Sequence, residues 1–453
     1  MTCDLFIIGS GPGGYAAALE AVSLGLKVVL AERNVLGGTC LNVGCIPTKL
    51  FLGATAAVDE LDAQARLKLA TGEVKVDFGA LQTRKAKILA ATRKGMMVKL
   101  QQLGVTLLTG EARLTGPGSA VVQDAEGEKL VEFRHSVLAT GGRPLAVPGL
   151  EPDGKTILNS DHLLELGRPP RSLMIIGGGY IGLELGQVFH RLGTSITVID
   201  ATERLAPQED PEVGVELGKI FRRKGWNILT GTQVRGLSAK EDRAEVTLGS
   251  GDLISAEKAL VAVGRKPVSE GLGLETVGAR TNAQGFIITD PFLRASPSVF
   301  AIGDVNGRFM LAHAAETQGR YAARLAAGRT RKPFDPGVVP SCIYGSPETM
   351  RAGRMAHELK TEGKEAQVSR FQLVANPIAQ AHGATGGFVK IVWSGDTVVG
   401  ACGVGHGVSH LATLAAIMVR EGWTAREVER TVFPHPSTDE ALMEALRAER
   451  VPT

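Results

Sequence analysis

The chain has 453 residues, with 50 basic and 47 acidic side chains, a net charge of +3 and five cysteines. At ~100–200 residues per domain this length predicts about three domains, which excludes a peptide-sized regulator or a single small binding module. The balanced charge offers no field for nucleic acid or an anionic membrane surface, and no apolar run is read as reaching the ~18 residues of a membrane helix.

The N-terminus enters a strand without a basic region or cleavage site, so the reading is of a cytoplasmic protein with neither nucleic acid nor membrane as partner. Glycine, at 57 residues, is about twice its usual ~7% share, without a collagen-like period. Such usage points to tight turns where backbone meets a ligand.

The first predicted strand, Asp4 to Ile8, turns at Gly9-Ser10-Gly11-Pro12-Gly13-Gly14 into a helix from Tyr15 to Leu24, and a second strand from Lys27 ends at Glu32. This is a dinucleotide fingerprint in its βαβ setting: Gly9 makes the turn, Gly11 admits a pyrophosphate, Gly14 lets helix pack on strand, and Glu32 can accept from a ribose hydroxyl. The unit returns at Ser172 to Ile176, Gly177-Gly178-Gly179-Tyr180-Ile181-Gly182, and a strand ending at Asp200. From Gly9 to Gly177, and from Glu32 to Asp200, the offset is 168 residues, so one chain carries two dinucleotide sites.

Between the copies, helical periodicity runs from Leu50 to Gln64 and Leu81 to Gln102, followed by strand-like runs at Val105 to Leu108 and Val137 to Thr140. A turn at Thr140-Gly141-Gly142-Arg143-Pro144 closes the first region, and Gly264-Arg265-Lys266-Pro267 closes the second. Next, Val299 to Ile302 delivers Gly303-Asp304 toward a helix expected near Leu311. After a proline-bearing link, strands and then helices from Val408 to Glu421 and Ala425 to Arg430 predict a separate α+β domain. The division expected is 1–143 and 265–335 for the first nucleotide domain, 144–264 for the second, and 336–453 for the C-terminal one.

Cys3, Cys342 and Cys402 stand singly and read as inert thiols. Cys40 and Cys45 differ: four residues separate them in a glycine-flanked segment, Gly37 to Lys49, where a close pair in a reducing compartment means redox chemistry or metal binding. An electron relay fits. Zinc competes, but no CxxC or nearby His pair supplies four ligands, and no metal is expected. Near the C-terminus, His435 lies between prolines with Glu440 five residues on, a pattern suited to a general base oriented by a carboxylate, though also common in plain loops.

Taken together, these motifs resemble the flavin-dependent pyridine nucleotide-disulfide oxidoreductase family over residues 4 to about 445, and most closely its branch that oxidises dihydrolipoamide. The resemblance implies an α/β fold with two Rossmann-like domains and a C-terminal α+β dimerisation domain, FAD and NAD as cofactors, and a homodimer serving lipoyl domains of a 2-oxoacid dehydrogenase complex or glycine cleavage system. It assigns catalysis to Cys40, Cys45, His435 and Glu440. For FAD it implies Gly9, Gly11, Gly14, Glu32, Arg33, Gly38, Thr39, Lys49, Ala112, Thr140, Gly141, Gly303, Asp304, Ala312 and His313. For NAD it implies Gly177, Gly179, Tyr180, Ile181, Gly182, Glu184, Asp200, Val234 and Gly264, with Lys49 paired to Glu184.

The chain departs from the branch at Phe433-Pro434, where His-Ala is usual, and at Gly405 to His410, where a glutamate is missing. Rival readings are a glutathione reductase, which should place basic residues after the second acid where Ala201-Thr202-Glu203 stand, and a mercuric reductase, which should carry cysteines beyond Cys402. From another class, the rival is an idle flavoprotein scaffold.

Overall fold

A strand apolar at consecutive positions must be covered on both faces, and Leu5, Phe6 and Ile7 are fully buried in the computed structural model, which describes residues 1–453. The chain divides into two units: Met1–Pro47, Thr83–Leu145 and Gly264–Pro336 form the first, and Thr48–Gln82, Ala146–Val263 and Gly337–Thr453 the second.

In the first unit the main sheet runs Arg294–Ser296, Val299–Ala301, Gly127–Leu138, Thr2–Ile8, Val28–Glu32, Thr106–Thr109, parallel apart from the first strand. An antiparallel ribbon of Glu111–Gly116 and Ser119–Asp124, unforeseen in the sequence, joins it through Gly127–Leu138. Two alanine- and glycine-rich helices, Pro12–Ser23 and Ala312–Ala326, approach so closely that a Cβ on Gly319 would lie 2.2 Å from the Gly13 carbonyl oxygen. The second of these starts at Ala312, one residue past the expected Leu311, and Gly303–Asn306 forms a short 3-10 turn before it.

The second unit holds a parallel sheet in the order Asn227–Leu229, Ser195–Ile199, Ser172–Ile176, Lys258–Val261, Ile157–Leu158. Beside it stand a three-stranded antiparallel sheet, Val234–Lys240 to Leu253–Ala256, and a six-stranded antiparallel C-terminal sheet covered by Ala412–Arg420 and Asp439–Arg447. The turn expected at residues 140–144 is partly a strand, Gly142–Pro144, paired antiparallel with Arg265–Pro267; the two closing motifs therefore hydrogen bond to each other.

The helix Cys45–Arg66 starts earlier than its periodicity announced, because the cysteine-bearing turn runs straight into it. The stretch 38–66 meets the length and composition of a membrane-crossing helix, contrary to the sequence reading. Two of its charged groups, however, hold protein partners: Lys49 pairs with Glu184 at 2.6 Å, and Asp59 takes both Arg191 Nε at 2.5 Å and Lys224 Nζ at 2.6 Å, while Phe51 and Leu52 enter the core of the second unit.

Arg191 is only 3% exposed at its side chain, so Asp59→Ala would leave a buried cation without its carboxylate. We expect that variant to lose about 3–5 kcal/mol in chemical denaturation, while Asp62→Ala, on the exposed side of the same helix, stays within about 0.5 kcal/mol of the parent.

Candidate active site

Each glycine turn is dictated by what a side chain would strike. Gly9 has φ +100° and Gly177 φ +107°, and a Cβ on either would sit 2.5 Å from a carbonyl oxygen of the neighbouring strand end, Ala139 or Ala262. A Cβ on Gly14 would meet the Gly9 oxygen at 1.9 Å and one on Gly182 the Gly177 oxygen at 2.3 Å, so helix and turn touch only without side chains. Gly11 and Gly179, by contrast, face open space. Each is the N-cap of its helix, Pro12–Ser23 or Tyr180–Arg191, with no acidic residue in the first turn. Unpaired N–H groups and the positive end of a helix dipole around an open spot fit a pyrophosphate, and they do so twice.

The acids behave alike too. Glu32 accepts from Ser10 N (3.0 Å), Ser10 Oγ (2.7 Å) and Asn34 N (3.0 Å). Asp200 accepts from Gly178 N (2.6 Å), Thr202 N (2.7 Å) and Thr202 Oγ1 (2.6 Å). A carboxylate has about four acceptor sites, so each acid braces its own loop with three and has capacity left for one further donor. The sequence reading missed the bracing partners, although the 168-residue offset aligns Ser10 with Gly178 and Asn34 with Thr202.

Around the first turn, Gly38 packs so that its Cβ would lie 2.7 Å from Gly11 Cα, and Thr39 Oγ1 donates to the Gly142 carbonyl at 3.4 Å. Thr140 Oγ1 donates to Val268 O at 2.6 Å beside Gly141, and Gly303 N donates to Gln318 Oε1 at 2.8 Å. Asp304 is held above the usual carboxylate range by burial, against the pull of Arg265, whose Nε lies 3.5 Å away. Arg265, which also donates to Gly142 O and Thr39 Oγ1, is a residue of the second closing motif whose part the sequence pattern does not reveal. Ala112 is half-buried in the ribbon, Ala312 opens its helix, and Arg33 and His313 are exposed. Lys49, grouped with the flavin residues, falls in the second unit; Gly264, grouped with the nicotinamide residues, falls in the first.

In the second unit, buried Glu184 accepts from Lys49 Nζ and, through Oε1, from Tyr344 N at 3.0 Å, while the Lys49 ammonium stands 4.6 Å over the Tyr344 ring. Burial raises the Glu184 carboxyl and the Lys49 charge opposes that rise. Tyr180 is tied down: its hydroxyl donates to fully buried Glu209, and burial with that carboxylate pushes its ionisation well up. Ile181 follows it in the helix, and Val234 opens the three-stranded sheet.

Cys40 lies in the short helix Gly38–Asn42 and Cys45 begins the next, both half-buried. Asn42 Nδ2 clasps Leu36 O (3.0 Å) and Gly38 O (2.9 Å), and its Oδ1 accepts from Arg93 at 2.9 Å, which rigidifies the cysteine segment. No group of three His, Cys, Asp or Glu side chains is assembled to hold a metal. The other thiols are quiescent: burial raises Cys3 to about 11 and Cys342 to about 12, and lifts Cys402 well above 9.0.

His435 and Glu440 do meet. Nδ1 lies 2.7 Å from Glu440 Oε1, leaving Nε2 on an exposed ring, while Glu440 Oε2 accepts from Ser437 N at 2.9 Å. In the atypical segment, the His406 ring lies against His382 with centroids 4.4 Å apart and the planes tilted by 31°.

A family model described as pyridine nucleotide-disulphide oxidoreductase matches residues 3–319, and that family's dimerisation domain matches 339–446. The chain is 37% identical over 453 residues to dihydrolipoyl dehydrogenase 3 of Pseudomonas aeruginosa, covering 98% of this chain and 97% of the relative. It is 34% identical over 450 residues to dihydrolipoyl dehydrogenase of Chlorobaculum tepidum, covering 98% and 96%. Among solved structures it is similar to LpdA of Mycobacterium tuberculosis (TM-score 0.90, 27% identity, 98% and 99% covered) and to the HOCl-induced flavoprotein disulfide reductase RclA of Escherichia coli (TM-score 0.86, 25% identity, 98% and 99% covered).

The His435 hydrogen bond, then that of Ser437 N, hold the Glu440 carboxyl below its ordinary 4.5. A depressed acid stabilises the fold above its unfolded pKa, and that contribution is lost as pH falls through the folded value. The melting-temperature gap between the parent and Glu440→Gln, present at pH 7, should therefore close below about pH 4.

Proposed function

The chain belongs to the pyridine nucleotide-disulphide oxidoreductase family, and we propose that it oxidises protein-bound dihydrolipoamide with NAD as an FAD-containing homodimer. The observation that carries the reading is the matched pair of glycine turns with their acids, since an enzyme passing electrons between two dinucleotides needs both.

In this reading residues 1–143 and 265–335 hold FAD, through Gly9, Gly11, Gly14, Glu32 and Asp304. Residues 144–264 hold NAD, through Gly177, Gly179, Gly182 and Asp200, and 336–453 carry the dimer contact. FAD held there would supply two-electron chemistry between the cysteine pair and NAD. The chain's own part is thiol chemistry. His435 Nε2 takes a proton from the dithiol, with Glu440 fixing the ring and offsetting the charge gained. The resulting thiolate attacks Cys40 sulfur in the Cys40–Cys45 disulfide, and the second substrate thiolate displaces Cys40, leaving lipoamide as disulfide and both cysteines reduced. Lys49 and Glu184 hold a fixed charge pair one turn along the helix from Cys45.

Lipoyl domains as the thiol source, and the cytoplasm as the place, follow from the same reading. The similarity to RclA supports a second one, in which another disulfide is the physiological partner.

Purified protein should be yellow with one FAD per chain and should reduce NAD with dihydrolipoamide, while Cys40→Ser and Cys45→Ser fall to background. Steady-state comparison with glutathione disulfide and mercuric ion tests the rivals; preference for either, with no lipoamide turnover, overturns the proposal. NAD should exceed NADP in kcat/KM by at least about tenfold, because a 2′-phosphate would face Asp200 with like charge. Equal values would contradict that use of Asp200.

A further inference from the structure

We infer that Asn376 is a positioning residue for His435, acting through Ser437 and Glu440; the inference rests on the proposed role of His435 as the base for the dithiol. Within its own chain His435 is 75% exposed at its side chain, so packing by that chain does little to aim it. From Thr431 to Ser437 the backbone has no helix or strand to stiffen it. What aims the ring is a run of hydrogen bonds leading back into the protein.

Glu440 grips His435 with Oε1 and is itself gripped at Oε2 by Ser437 N, 2.9 Å away. Ser437 closes the loop on itself, its hydroxyl donating to Pro434 O at 2.7 Å. Its carbonyl then accepts from Asn376 Nδ2 at 3.0 Å. Asn376 is 1% exposed, and its backbone N donates at 2.9 Å to Leu373 O, a residue wholly inside the core of the C-terminal sheet. The series therefore starts in the core and ends at the base.

Only asparagine suits the position. Its Oδ1 accepts from Ile378 N (3.0 Å) and Ala379 N (3.1 Å), capping the helix Pro377–Ala381. Those two donors fix which way the amide faces and leave Nδ2 for Ser437. Aspartate would cap as well as asparagine but has no proton for the Ser437 carbonyl, whereas alanine would lose both contacts. Asparagine before Pro377 is legible in the sequence as a helix start, but its second bond joins residues 61 positions apart and is set by the fold.

The test separates capping from positioning with two reactions of the flavin-loaded, full-length protein. Oxidation of dihydrolipoamide by NAD needs the base; oxidation of NADH by ferricyanide does not. A general base contributes about 10²–10⁴-fold, so mis-aiming it should cost Asn376→Asp about 10–100-fold in kcat/KM for dihydrolipoamide, with ferricyanide reduction within about twofold of the parent. In a His435→Ala background the same change should add nothing, because its effect runs through His435. Wild-type dithiol turnover in Asn376→Asp would overturn the inference, as would an undiminished effect in the His435→Ala background. Loss of flavin or folding by Asn376→Asp, whose cap is intact, would also overturn it in favour of a structural role. If the parent itself reduces ferricyanide but oxidises no dihydrolipoamide, the proposed function has failed rather than the placement of Asn376 alone, and the inference falls with it.

Discussion

Buried charge has to be paired, and in this protein that requirement sets the register of the helix opened by Cys45. Lys49 and Asp59, about 15 Å apart along it at 1.5 Å per residue, meet Glu184 and Arg191, about 10 Å apart on the helix that follows the second glycine turn. Sliding one helix past the other by a turn would strand Glu184 and Arg191 inside the protein. The desolvation cost makes such a slip prohibitive. Lys224 adds a third strut, bridging Asp59 to the Ser346 carbonyl at 2.8 Å. A helix apolar enough to resemble a membrane span is thus tied into the protein by Lys49 and Asp59, while Glu60, Asp62 and Arg66 stand exposed.

The two dinucleotide turns are held by a second constraint, steric rather than electrostatic. Backbone oxygens occupy the space where side chains on Gly9, Gly14, Gly177 and Gly182 would go, and open space remains only above Gly11 and Gly179. The acid at the end of each second strand then serves the protein before any ligand, tying down the turn it faces. Tyr180, expected beside the nicotinamide, has its hydroxyl tied to Glu209, which fixes its ring.

Much of this was legible because it is local. A buried strand, a glycine turn and a helix follow one another within some 25 residues, and the glycines at Gly9 and Gly177 announce their own backbone. The ribbon of Glu111–Gly116 and Ser119–Asp124 was missed because short, half-exposed strands carry weak periodicity. Helix starts were off by up to five residues: the turn bearing Cys45 merges into its helix and brings the start forward, while the helix at Ala312 begins one residue late.

By itself the sequence determined the duplicated dinucleotide unit, the cysteine pair and the His435–Glu440 spacing, since each depends on residues near one another in the chain. Only the tertiary structure decided that Asp59 answers Arg191 and Lys224, that Glu209 receives Tyr180, that Arg265 faces Asp304, and that Asn376 reaches Ser437. These are pairings of groups 29 to 165 positions apart, and no local pattern records them. A buried polar side chain takes the partner that the packing of whole elements delivers to it, so its identity is written in the fold and not in its neighbours.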